Sequence, residues 1–127
     1  MHCDVGGGYP EAESGLSKLA LDWMLREATA AGLLTDPARM DLVLGRAGGR
    51  YAPPDANAMM HESLTGLWRV AEYVPKRHYN WAEQKEERRA NRFRRRTIPE
   101  GSLIHESAYQ RGADYVARLP ASGIRVA

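Results

Sequence analysis

The sequence predicts a mostly α-helical chain with one or two short strands, and three observations lead there. Apolar residues recur at helical spacing in several stretches, runs of the valine and isoleucine type that build buried parallel strands are scarce, and 127 residues leave room for one compact domain. The clearest stripe is Leu16, Leu19, Ala20, Trp23, Met24, Ala28 and Ala31, which lies on one face of a helix from Leu16 to about Ala31. Ser14 or Ser17 stands where a cap is needed, and Gly32 ends the helix. The preceding residues, 1 to 15, read as loop because Gly6, Gly7, Gly8, Pro10 and Gly15 interrupt any period.

A second helix is expected from Pro37 to about Leu44, with Asp36 as its cap and Pro37 at its first position. Gly45 to Gly49 break it, and Tyr51, Pro53 and Pro54 belong to a loop. A third helix is expected from about Met60 to Ala71, with Leu64, Leu67, Trp68 and Ala71 inward, stopping near Pro75. Beyond it, a short helix or irregular segment to about Ala90 and a strand over Arg92 to Ile98 are expected. Pro99, Glu100 and Gly101 form a turn, His105 opens a last helix to about Leu119, and Pro120 and Gly123 leave a loose tail.

Burying six apolar side chains on the first helix contributes roughly 12 kcal/mol, against about 1 to 2 kcal/mol for ordering each of its residues. Such a helix needs a partner surface. With few strand-forming runs in the chain, the sheet that these helices should cover is expected to lie mostly outside it.

Composition limits the function classes. With 43% hydrophobic and 27% charged residues and no apolar run of about 18 residues, the sequence predicts no membrane span. No basic segment leads into an apolar stretch at the start, so Sec-type export is not encoded and a cytoplasmic location in the producing cell is expected. Cys3 is the one cysteine, which excludes an internal disulfide and a cysteine zinc site and suits a small buried residue.

A net charge of +2 is too small to imply nucleic acid as a partner of the whole chain. Between Glu83 and Arg96, however, seven basic residues face three acidic ones. The run reads first as a solvated face with internal Glu–Arg pairs, and more sharply as a contact for acidic lipid headgroups or RNA through Arg94, Arg95 and Arg96. A small helical module binding a polyanion is therefore the alternative function. Phe93 alone interleaves these arginines, which disfavours nucleic acid. His78 is expected in a loop, exposed or half-buried, and Trp23 and Trp68 in the core.

His2-Cys3-Asp4-Val5-Gly6-Gly7-Gly8-Tyr9, followed by Leu21-Asp22-Trp23-Met24, resembles the α/β-hydrolase domains of type VI secretion phospholipase effectors. Their signature looks like His-Xaa-Asp-Val-Gly-Gly-Gly-Tyr with a helix bearing Leu-Xaa-Trp-Met. The likeness continues through His61-Glu62-Ser63 with Trp68 and Tyr73-Val74-Pro75, and through Ile104-His105-Glu106-Ser107 to Arg111. It implies that the chain is the C-terminal part of one α/β-hydrolase-like domain spanning residues 1 to 127, with a lipid or ester substrate, no cofactor or metal, and export by the type VI machine.

Acyl transfer at such a site needs a serine activated by a histidine, with a carboxylate to orient the imidazole and stabilise the imidazolium. The resemblance assigns the carboxylate to Asp4, and the base to His61 or, alternatively, His105. Chain order in this fold is nucleophile, acid, base, so the serine should precede Asp4. None of the six serines, Ser14, Ser17, Ser63, Ser102, Ser107 and Ser122, lies in a Gly-Xaa-Ser-Xaa-Gly turn. The expectation is therefore a hydrolase segment whose strand and nucleophile belong to a missing N-terminal portion, inactive alone. Asp4 with His2 would supply too few ligands for a metal, and no Lys-Ser or Lys-Thr follows the glycines to make a phosphate loop.

Overall fold

A computed structural model describes residues 2–62, 64–80, 83–94 and 97–126. It is a small, mostly helical protein with two short two-stranded sheets. The chain divides into two compact units, Met1–His61 with Ile98–Ala127, and Glu62–Thr97.

In the first unit, α1 covers His2–Gly6 where the sequence suggested loop, and a short 3₁₀ turn follows at Glu11–Glu13. The glycines after Asp4 end this helix rather than preventing it. The long helix α2, Gly15–Ala30, follows the apolar stripe read from the sequence. Ser14 occupies its cap position, but its hydroxyl donates back to the Glu11 carbonyl at 2.7 Å instead of capping. At the other end the Leu33 N–H donates to the Ala28 carbonyl and the Gly32 N–H to that of Thr29, a Schellman closure.

Helix α3, Pro37–Val43, has Pro37 in its first turn, and the Asp36 carboxylate accepts from the N–H groups of Ala38 at 3.0 Å and Arg39 at 3.3 Å. It closes the same way, through Arg46 N–H to Asp41 and Gly45 N–H to Leu42. At Gly45, with φ +67°, a Cβ would stand 2.7 Å from the Tyr51 carbonyl oxygen, so only glycine lets residues 51 to 53 pack against this corner.

Lys18 links the two helices. It is buried, donates from Nζ to the Val43 carbonyl at 2.7 Å and pairs with Glu11 at 2.9 Å. Hydrogen bonds from Lys18 and the Ala52 N–H hold the Glu11 carboxyl below its ordinary range. A buried ammonium is tolerated here because an orphan helix-end carbonyl and a carboxylate both receive it.

The expected final helix is broken into shorter elements. Strand β3, Leu103–His105, leads into a 3₁₀ segment at Glu106–Gln110 and a single-turn helix α5, Ala113–Val116. The supposed tail forms β4, Ile124–Val126, parallel to β3 with Leu103 opposite Ile124 and His105 opposite Val126. Arg111 and Gly112 adopt extended rather than helical backbone, which is what divides the segment.

Apolar burial is modest. Leu44, Ala56 and Ile104 are the buried hydrophobic residues described, whereas Trp23 is 46% and Met24 61% exposed. Trp23 is therefore not a core residue, despite its place on the apolar stripe: α2 is amphipathic, but part of its apolar face meets no second layer.

The second unit differs most from the sequence reading. Only Leu67–Ala71 is helical (α4), because Gly66 at φ 54°, ψ −132° blocks its extension toward Met60. Leu67 and Trp68 are exposed rather than inward. Lys76–Asn80 (β1) and Lys85–Arg89 (β2) make an antiparallel hairpin with His78 opposite Glu87, so His78 lies on a strand, half-buried. Arg92 and Phe93 have φ of 48° and 61°, which excludes the strand expected there. The buried Glu72 holds this turn, its carboxylate accepting from the Asn91 amide and, at 3.0 Å, from the Phe93 N–H.

Candidate active site

Helix α1 places Asp4 where its side chain is 7% exposed, and one residue 57 positions away meets it. His61 Nδ1 lies 2.7 Å from Asp4 Oδ1, and the His61 backbone N–H donates to Oδ2 at 3.2 Å. Both carboxylate oxygens are thus engaged by one residue, which sets the position and the rotation of the imidazole together.

The glycine run after Asp4 returns the chain over this pair. Gly7 and Gly8 have φ of 82° and 120°, a path other residues rarely take, and it brings the Tyr9 ring against the imidazole at 3.6 Å and 20°. The remaining ring nitrogen, Nε2, lies 2.9 Å from Glu13 Oε2 on the 3₁₀ turn. With a carboxylate at each nitrogen, the protonated ring can donate at both positions and the neutral ring at one.

The titration properties follow from these contacts. Hydrogen bonds to Asp4 first, then to Glu13, raise the His61 pKa above its ordinary value, with partial burial opposing. Burial acts to raise that of Asp4, but the hydrogen bonds from His61 prevail with their neighbours and it is lowered. The Tyr9 phenol is raised by desolvation and by the negative charge of Asp4.

A raised histidine stabilises the fold fully below its ordinary value of 6.5 and loses that contribution as pH rises through the raised value. A lowered aspartate stabilises it fully above its ordinary value of 3.8 and loses that contribution as pH falls through the lowered one. Urea unfolding should therefore show greatest stability between those two pH values and a decline on each side. Stability that climbs steadily on the alkaline side would contradict the raised pKa of His61.

The alternative base, His105, is not at this pair. Its Nδ1 bonds the Ser107 hydroxyl at 2.9 Å and accepts from the Ser107 N–H at 3.3 Å. Glu13 was not singled out in the sequence, where a glutamate in a polar turn carries no sign of a histidine 48 positions later.

Among the described residues, every serine hydroxyl is engaged away from His61: Ser14 with Glu11, Ser17 with Ser14, Ser102 with Pro99, Ser107 with His105 and Ser122 with Glu100. Ser63 lies outside the described residues. No group of three or more potential metal-ligating side chains is found among them either. No described helix is long and apolar enough to cross a membrane.

In the basic segment, Lys85 pairs with Glu83 and Arg89 with Glu87 at 4.0 Å, while Glu86 pairs across the hairpin with Arg77 at 3.9 Å. Arg94 is exposed after the turn at residues 91 to 94, while Arg95 and Arg96 lie outside the described residues. No family model, curated protein or solved structure matches this chain.

Proposed function

We propose that Asp4 and His61 are the orienting acid and general base of a serine-type ester hydrolase site, of the kind carried by type VI secretion phospholipase effectors, with phospholipid or another ester as substrate. The observation that carries this reading is the 2.7 Å contact between His61 Nδ1 and the buried Asp4 carboxylate. Such a contact keeps the proton on Nδ1 and leaves Nε2 to take the proton of an attacking hydroxyl.

In this chain Nε2 is met by Glu13, an exposed carboxylate standing where the hydroxyl would approach. Turnover then needs a serine in a nucleophile elbow, which none of the six serines of the sequence occupies, and the withdrawal of Glu13. The chain alone is inert on this reading. The uncovered apolar face of α2 supports its origin in a layered α/β domain, because a further layer would bury Trp23 and Met24.

The test compares the chain alone with the chain joined to the polypeptide encoded upstream in the same reading frame, on 4-nitrophenyl esters and phospholipid vesicles. The longer polypeptide is expected to turn over ester and take a fluorophosphonate label on serine, with turnover abolished by His61→Ala. Turnover by the chain alone that Asp4→Ala removes would refute the inertness. A longer polypeptide that takes no label would end the hydrolase reading.

A further inference from the structure

Charge is divided unevenly between the two units. Residues 62 to 97 hold ten basic and five acidic residues, a net +5 in a chain whose total is +2, so the remainder carries −3. The hairpin register concentrates part of this excess, setting Lys76 opposite Arg89 and Arg77 opposite Arg88 at its open end. Like charges facing each other across a strand pair are unfavourable, and anions brought to that end relieve them. Arg77 and Arg89 have glutamates at 3.9 and 4.0 Å, but Lys76 and Arg88 form no ion pair among the described residues.

The turn after the hairpin adds cations beside an aromatic pair. Glu72 fixes this turn through its carboxylate and its carbonyl, the latter accepting from the Arg92 N–H at 2.9 Å. Phe93 thereby meets Tyr73 edge to face, with ring centroids 5.7 Å apart, and the Arg69 guanidinium stands over its ring at 5.6 Å. Arg92 and Arg94 flank Phe93 in the chain, and all three arginines are exposed.

The same unit leaves large apolar side chains in water. Of the eight residues 67 to 74, five are apolar or aromatic and exposed: Leu67 at 87%, Trp68 at 69%, Val70, Tyr73 and Val74. A single exposed apolar side chain is ordinary, but a run this dense, on one turn of helix and the segment after it, marks a contact surface. Tryptophan and tyrosine beside arginine and lysine are the side chains that settle where lipid headgroups meet acyl chains. A second copy of the chain would set +5 against +5 at such a contact. Nucleic acid would pair with the cations and leave the aliphatic side chains in water. An anionic bilayer meets both, the cations with opposite charge and the apolar run with hydrocarbon.

We propose that the unit Glu62–Thr97 docks on an anionic lipid bilayer, residues 67 to 74 entering the headgroup boundary while Lys76, Arg88 and Arg94 meet acidic headgroups. The surface belongs to this unit whether or not His61 acts on esters.

Co-sedimentation of the full chain with vesicles of ether-linked lipids, which hold no acyl ester, tests it at about 0.1 M salt. With about 30 mol% phosphatidylserine, binding is expected to be roughly tenfold or more stronger than to phosphatidylcholine alone, and to weaken as salt rises to about 0.5 M. Leu67→Ser with Trp68→Ser should weaken it about tenfold or more, through lost apolar burial. Lys76→Gln, Arg88→Gln and Arg94→Gln together should weaken it roughly a hundredfold, since each cation near an anionic surface contributes a factor of about five. All five positions are exposed, so circular dichroism should be unchanged. Should one variant fail to fold, the other and the lipid comparison still decide. No binding, equal binding to both vesicle types, or binding that survives Leu67→Ser with Trp68→Ser would overturn the proposal. So would tighter binding of single-stranded RNA at the same phosphate concentration, which would assign the cations to nucleic acid, or a dimer that Trp68→Ser dissociates in sedimentation equilibrium, which would assign the apolar run to a second copy.

Discussion

Asp4→Ala is expected to destabilise the first unit by about 1.5–3 kcal/mol near neutral pH and to return His61 toward ordinary titration. The buried carboxylate accepts two hydrogen bonds from one residue, one of them from its ring. Truncation leaves the His61 backbone N–H without its acceptor, and the ring with Glu13 as its remaining carboxylate. Asp4→Asn separates shape from charge: it preserves an oxygen for one of the two donors but removes the charge that favours imidazolium. Urea unfolding should rank the wild type as most stable, the Asp4→Asn variant next and the Asp4→Ala variant last, and the His61 proton resonances should titrate at lower pH in both variants. A His61 titration indifferent to Asp4→Asn would mean that the pair does not exist in solution.

Leu44→Ala should cost more, about 2–5 kcal/mol. Leu44 is fully buried, with 0% exposure, and sits where α3 turns into the Gly45 corner that receives residues 51 to 53. Removing its side chain opens a cavity in the interior, and the end of α3 carrying it is fixed by the Schellman closure and cannot readily follow inward. Few buried apolar groups are available to share the loss, since the others described are Ala56 and Ile104. Against the roughly 5–15 kcal/mol of a typical domain, the variant should be visibly less folded at moderate urea. Leu34→Ala provides the control: at 97% exposure it should fall within about 0.5 kcal/mol of wild type. Equal behaviour of the two variants would show that Leu44 is not a core residue.

The elements that could be read from sequence are those whose signals are local. Asp36 and Pro37 mark the start of α3 through contacts one to three residues away, and the stripe from Leu16 to Ala28 carries the period of α2. Local signals mislead where a single backbone angle or a distant partner decides. Gly66 stops α4 short despite the apolar spacing before it, and Arg92 and Phe93 take left-handed conformations because Glu72, some 20 residues earlier, satisfies the turn. Charged residues also hid the hairpin, since Lys76–Asn80 and Lys85–Arg89 lack the apolar alternation by which strands are usually recognised.

The sequence by itself determined the chemical types at the site: a carboxylate before a glycine run, two histidines each followed by Glu-Ser, and no serine elbow. Only the tertiary structure brings His61 to Asp4 and turns His105 to Ser107. It also puts Glu13 on the second nitrogen of His61. The physical reason is that hydrogen bonds and ion pairs act over about 3 Å, whereas the residues they join here lie tens of positions apart, with their separation set by packing rather than by spacing along the chain.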